Sequence, residues 1–264
     1  MRSCWQSGNY MNNFESPFQS LIQGSMLEEQ KIISDLLNAG VRQPRLLLWQ
    51  YDTPAIIMGC SQRPDEGQLQ RSKQEGLPIM RRGSGGGAVL AGPWMLSVTV
   101  FIPAEHPVGK LDIIKIFSWL EQVWIKALLE SGVSCKGVDK TLIEQSKQIA
   151  KTEGLEWACY ASLSHGEVVS PDGRKLVGLA QIRKRKGVAL VSGLHLKPCD
   201  WHTLCRVVTD DIRQASVLES LNTDVEQQSG ASVADLLPEI IDRFTQGLPK
   251  GFDIVQSIEG NVEP

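Results

Sequence analysis

The segment Arg81-Arg82-Gly83-Ser84-Gly85-Gly86-Gly87-Ala88-Val89 carries the clearest chemistry in this chain. Glycines remove the Cβ atoms that keep a ligand off the backbone. Successive N–H groups in such a run can form an anion-binding nest, and two arginines just upstream add planar forks suited to carboxylate or phosphate. The run fits neither the GxxxxGK(S/T) phosphate loop nor the GxGxxG dinucleotide turn. Lys175 follows the turn Pro171-Asp172-Gly173, where a lysine by itself is a solvated hairpin residue. Cys159 lies 16 residues before it, in Trp157-Ala158-Cys159-Tyr160. Alone it reads as a small buried hydrophobe. Cys60 is a second thiol near a loop. His195, Cys199, His202 and Cys205, at spacings of four, three and three, are zinc-compatible types. Pro198 interrupts any helix joining the first two, so a strand end running into a buried helix face is expected there, without metal.

Hydrophobic periodicity supplies the elements that position these residues. Gly24-SMLEEQKIISDLLNAG is a helix stopped by Gly40. Arg45-LLLWQY and Ala55-IIMG are strands joined by an Asp52-Thr-Pro turn. A loop from Gly59 leads to a polar helix ending at Gly76, and Leu77-PIMRR is a short strand entering the glycine run. Met95-LSVTVFIP is a buried strand and Leu111 to Ser131 a long helix. Gly166-EVVSPDGRKLVGLAQIR is a hairpin around Pro171-Asp172-Gly173, and Lys186-GVALVSGLHL is a further strand. Trp201 to Ile212 and Ser232 to Gly247 are helices, with a loop at Asp224-VEQQSGAS between them. Helices and hairpins are mixed rather than alternating. The expected class is therefore α+β, with a mixed or antiparallel central sheet flanked by helices.

The chain has 264 residues, 42% hydrophobic and 22% charged, with net charge −3. That length buries a sizeable core without disulfides or metals. The charge gives no general pull toward nucleic acid or an anionic membrane. The first residues have no apolar core of a secretory signal, and no stretch approaches the roughly 18 apolar residues of a span. Six scattered cysteines fit reduced thiols. A cytoplasmic protein is expected, without nucleic-acid or membrane partners.

The glycine run resembles the arginine–glycine loop of the lipoate-protein ligase A and octanoyltransferase superfamily. Other segments match in the same order. Gly24-SMLEEQ resembles the first helix, and Pro54-AIIMGCSQ the strand and Gly-x-x-Gln loop, with Gly59 and Gln62 at the motif positions. Gly173-RKLVGLAQIR resembles the GRKxxGxAQ segment, and Ala215-SVLESL a later helix. The likeness spans roughly residues 24–247. It implies a biotin/lipoate ligase-like catalytic domain over 24–264, an N-terminal extension over 1–23 and no C-terminal accessory domain. It implies that Arg81, Arg82, Ser84, Gly85, Gly86, Gly87 and Ala88, with Gly59, Gln62, Gly178 and Ala180, bind the acyl group. The Lys175 ammonium would donate to the acyl carbonyl, and Gly178 and Ala180 would leave room for the alkyl chain. Cys159 matches the cysteine that, in the cysteine-dependent branch, carries the acyl group as a thioester.

ATP-dependent ligases and many octanoyltransferases follow the loop with a His-Asp pair; here Ala91 and Gly92 stand there, followed by Pro93-Trp94-Met95. The text around the loop is more similar to the amidotransferase branch. The resemblance thus implies transfer of an octanoyl or lipoyl group through Cys159 to a lysine of a lipoyl domain, on a glycine-cleavage H protein or a 2-oxoacid dehydrogenase E2 subunit. That route needs no cofactor. One alternative is an ATP-dependent lipoate ligase, for which ATP and Mg²⁺ would be needed. Another is a non-catalytic lipoate-binding homologue. The basic run Arg183-Lys184-Arg185-Lys186 is either a dock for an acidic carrier or a solvated hairpin end.

Overall fold

A computed structural model describes residues 16–256. In chain order the first strands are β1 (Ile22–Gly24), β2 (Arg45–Tyr51), β3 (Ala55–Met58), β4 (Ile79–Arg81), β5 (Val89–Ala91) and β6 (Met95–Pro103). They are followed by β7 (Lys136–Gly137), β8 (Val168–Val169), β9 (Lys175–Lys184), β10 (Gly187–His195) and β11 (Asp253–Ile254). The helices are α1 (Met26–Ala39), α2 (Glu66–Gln74), α3 (Ile113–Glu130), α4 (Lys140–Thr152), α5 (Trp201–Val208), α6 (Arg213–Leu221), α7 (Val225–Ser229) and α8 (Val233–Gly247).

The main sheet has eight strands, ordered β1-β2-β6-β10-β9-β8-β7, with β11 also on β2. Its centre is antiparallel, while β1 and β11 run parallel to β2. A second sheet, β4-β3-β5, carries the glycine run between β4 and β5. The fold class expected from the sequence is the one observed.

Strands β2 and β6 are buried on both faces, which is why their sequences read as apolar runs rather than alternating ones. On one face Leu46, Leu48, Val98 and Val100 meet Trp124, Ile240 and Phe244 of α3 and α8. On the other, Leu47, Trp49, Tyr51 and Phe101 meet α1, the small sheet and α5. The second face holds the site.

Local signals explain most of the elements. Ser25 and Glu28 close a capping box on α1, and Gly40 follows its end at φ 91°. Asp65 and Gln68 do the same for α2. Two expectations need correction and one element was missed. The segment from Asp224 contains α7, capped by Asp224 and ended by Gly230 in the left-handed region. The helix from Trp201 stops at Val208. Helix α4 was not anticipated, although Ile143, Ser146 and Ala150 recur on its buried face at helical spacing.

The boundary expected at residue 23 runs through β1. The Ser16 hydroxyl donates to Asp242, and Phe18 packs on the α3–α8 core, so the described residues before 24 belong to the same body. Residues 1–15 of the expected extension lie outside the described part. Among the described residues no helix is long and apolar enough to cross a membrane.

Candidate active site

Two cavities meet at Cys159. One is lined by Ile57, Val89, Met95, Tyr160, Ala180 and Val191, with Glu29, Tyr51 and Ser97 also on its wall. Its mostly apolar lining suits a small apolar ligand. The other is an open cleft with polar walls, bounded by Gly85, Gly86, Gly87, Glu156, Ser162 and Lys175. Cys159 and Arg82 belong to both.

The loop bearing Cys159 is stitched to the glycine run. The Ala88 N–H donates to Trp157 O at 2.7 Å, and the Cys159 N–H to Ala88 O at 2.8 Å. Gln62 ties a third strand end to the pair: its Oε1 accepts from Gly59 N, and its Nε2 donates to Trp157 O. A Cβ on Gly59 would lie 1.9 Å from Gly86 O, and one on Gly87 would lie 2.5–2.6 Å from the backbone of Trp157 to Cys159. These glycines are therefore needed for backbone to meet backbone.

Arg82 is the cation at the sulfur. Its guanidinium donates to Gly85 O and Gly87 O, which fixes the loop, and Nη2 lies 3.7 Å from Cys159 Sγ. Cys159 is half-buried.

Lys175 stands on the wall of the polar cleft, but its ammonium is held by the framework. It is 1% exposed, and its three N–H donors meet Cys159 O at 3.0 Å, Ser162 O at 3.1 Å and Glu167 Oε1 at 2.7 Å. The ammonium also sits 4.8 Å from the Tyr160 ring centroid. With every donor engaged, Lys175 braces the Cys159 loop and does not present a free N–H to an acyl carbonyl. Glu167, whose other oxygen accepts from Ser164 N, completes the brace.

Gly178 serves a second purpose beside the one expected. It lines the mostly apolar cavity, and a Cβ there would lie 3.0 Å from the Tyr160 hydroxyl, which donates to Gly193 O. Ala180, Gln62 and Gly85 to Gly87 stand on cavity walls as expected. Arg81, Ser84, Gly59 and Ala88 do not. Arg81 is exposed, the Ser84 carbonyl accepts from Cys60 N, and Gly59 and Ala88 act through their backbone.

The sequence reading missed Glu29, Tyr51, Ser97, Tyr160 and Glu167. A signal existed for Glu29: it falls on the buried face of α1 between Met26 and Ile33, where an apolar residue is due. Burial pushes its carboxyl above the ordinary carboxylate range, against the pull of hydrogen bonds from Ser97 and Tyr51.

The His/Cys set disperses. His195 stacks on Tyr160 at 4.3 Å, Cys199 Sγ contacts Leu90 O, Cys205 is buried in α5 and His202 is exposed. Among the described residues no three His, Cys, Asp or Glu side chains are arranged to hold a metal ion. In the basic run, Arg183 donates to Gly109 O and Leu111 O and Lys184 to Asn38, so half of it is engaged by the framework.

With this geometry in place, comparison with known proteins gives a consistent result. The family model described as lipoyl protein ligase A/B catalytic domain matches residues 26–245. An octanoyltransferase LipM of Moorella thermoacetica is 29% identical over 179 residues, 66% of this chain and 62% of that protein. The match thus spans less than two thirds of the relative's length. A lipoate-protein ligase A bound with ATP superposes with TM-score 0.67 at 16% identity, covering 90% of this chain and 86% of that one. A bipartite lipoate protein ligase of Thermoplasma acidophilum, solved as part of a lipoylation system with its E2 lipoyl domain, gives 0.67 at 17%, covering 90% and 87%. At such identities the two structures establish a shared fold.

Proposed function

The chain belongs to the lipoyl protein ligase A/B catalytic domain family, and from that premise we propose that it is an acyltransferase of protein lipoylation. It would carry an octanoyl or lipoyl group as a thioester on Cys159 and pass it to the target lysine of a lipoyl domain, on a glycine-cleavage H protein or an E2 subunit. The observation that carries this reading is the position of the sulfur. It stands where a mostly apolar cavity meets a polar cleft, 3.7 Å from a guanidinium. The cavity suits the acyl chain, and the cleft suits an approaching lysine.

In the first half-reaction the Cys159 sulfur attacks the acyl carbonyl carbon. A C–S bond forms and the carbonyl electron pair moves onto oxygen. On collapse, the bond from the acyl carbon to the donor's leaving atom breaks, and that atom takes the proton released by the thiol. In the second, the acceptor lysine's neutral amine attacks the thioester carbon. The C–N bond forms, the C–S bond breaks and the amine's proton goes to sulfur. The acyl group arrives already joined to a carrier, so neither half consumes a nucleotide. Arg82 stabilises negative charge at the reacting centre; one preorganised donor of this kind is worth about 3–4 kcal/mol. Burying the alkyl chain contributes about 0.8 kcal/mol per CH₂.

The test is incubation with an octanoylated donor domain and an apo-lipoyl domain in the absence of ATP, followed by intact mass. The expected result is an acyl adduct on Cys159 and transfer that falls by about 10⁴-fold or more in Cys159→Ser. Activity that needs ATP and survives Cys159→Ser would overturn the proposal in favour of a ligase. Saturable lipoate binding without transfer from any donor would point to a non-catalytic homologue.

A further inference from the structure

The mostly apolar cavity crosses the sheet rather than following a strand. Gly178 of β9 is registered with Gly193 of β10, Gly193 with Ser97 of β6, and Ser97 with Trp49 of β2. Registered residues present their side chains to one face, so these four form a file under the cavity. The next file on that face is Ala180, Val191, Thr99 and Leu47. The Cys159 loop is held at β9 through Lys175, and the opposite wall, over β6 and β2, is made by Glu29, Tyr51 and Ser97.

That wall is polar and fully bonded. The Ser97 hydroxyl donates to Glu29 Oε1, and Tyr51 donates to Glu29 Oε2 at 2.7 Å. Gln30 adds a longer contact at 3.3 Å. Glu29 is 1% exposed, Ser97 2% and Tyr51 3%. Nothing in the acyl-transfer chemistry uses them.

The spacing gives the wall a role. From β9 to β6 is two strand separations, roughly 9.5 Å. An extended eight-carbon chain, built from C–C bonds of about 1.5 Å, covers about 9 Å. We propose that Glu29, held by Ser97 and Tyr51, is the specificity-determining residue that ends the acyl site at eight carbons. A longer chain must drive methylenes into a hydrogen-bonded carboxyl and leave buried polar groups unpaired, which costs binding. Octanoyl and lipoyl groups both have eight-carbon chains, so one limit admits both. The proposal rests on the cavity being the acyl site of the proposed transferase.

The experiment measures binding of hexanoic, octanoic, decanoic and dodecanoic acids by titration calorimetry, together with loading of Cys159 from the matching small-molecule thioesters by intact mass. In the native protein, decanoate is expected to bind more weakly than octanoate by about tenfold or more. In Glu29→Ala the order should reverse, because each methylene given room strengthens binding by roughly fourfold. Glu29→Gln, which keeps the length and stays paired if one of the two hydroxyls turns to accept from the amide NH2, should retain the native order. A purely structural role would weaken all four acids alike and leave their ratios unchanged. If Glu29→Ala does not fold, Ser97→Ala must move the decanoate-to-octanoate ratio in the same direction. An unchanged ratio in the folded variant, or a native protein that prefers decanoate, overturns the proposal. The two readouts separate the readings. A shifted binding profile without Cys159 loading leaves the chain-length limit standing and sinks the thioester route, whereas loading with an unshifted profile does the reverse.

Discussion

At the scale of single residues, the buried pair of Lys175 and Glu167 is the sharpest case of a side chain whose type was legible and whose task was not. A buried ion pair adds little net stability, but removing one partner leaves an uncompensated charge. Lys175→Ala should therefore lose about 3–5 kcal/mol in urea unfolding, and Lys175→Met with Glu167→Gln should recover most of it. Unchanged stability in the single variant would contradict the bracing role. His195 makes a second prediction. Burial, together with the Lys175 charge, pushes its imidazole down to about 3. The unfolded chain binds a proton below about 6.5 and the folded one does not, so stability falls as pH drops from 6.5 toward 3. The slope should be about 1.4 kcal/mol per pH unit. Its Nε2 has no partner among the described residues, while a hydrogen bond from the ring to the Thr223 backbone is lost in His195→Phe. The variant should flatten this part of the stability–pH curve; an unchanged slope would place the titration elsewhere.

At the scale of elements, the site is an encounter of three loop ends: the turn after β3, the glycine run between β4 and β5, and the segment before β8. The contacts that join them are mostly backbone to backbone, which leaves no room for side chains at two glycines. Gly87→Ala puts a Cβ against the Trp157–Cys159 backbone at 2.5–2.6 Å and must push the thiol loop away. A displacement near 1 Å at a reacting group costs about 10²-fold in rate. Gly85, two residues earlier, has nothing within 4 Å of a built Cβ, and Gly85→Ala should keep most of the activity. Equal losses in steady-state transfer for the two variants would mean that loop flexibility, rather than close approach, is what the glycines supply.

At the scale of the whole molecule, the sheet divides two cores with different duties. The α3–α8 side is plain packing: Phe244 is 1% exposed and its ring lies 4.3 Å from that of Trp124. Phe244→Ala should cost about 3–5 kcal/mol while leaving Cys159 loading unchanged well below the unfolding midpoint. Loss of loading in the folded variant would show that the two faces are coupled. The site side trades apolar packing for Glu29, Ser97 and Tyr160, and each of these is hydrogen-bonded there.

The sequence by itself determined the class of fold, the strands and helices with strong period, and the glycine run. Each of these is written in local order: alternation, capping boxes, turn residues, a motif of adjacent positions. The tertiary structure alone decided which cation faces the sulfur. Arg82 and Lys175 both lie near Cys159 in space, and only the partners from Glu167 and the Ser162 carbonyl reveal that the lysine has no donor left. It alone decided that Gly178 makes room for a tyrosine, since Tyr160 reaches that position across 18 residues of chain. It alone put Glu29 on the cavity wall, because the carboxyl's neighbours, Tyr51 and Ser97, lie 22 and 68 residues further along the chain. Hydrogen-bond partners far apart in sequence leave no periodic trace in it, and the site is built largely from such partners.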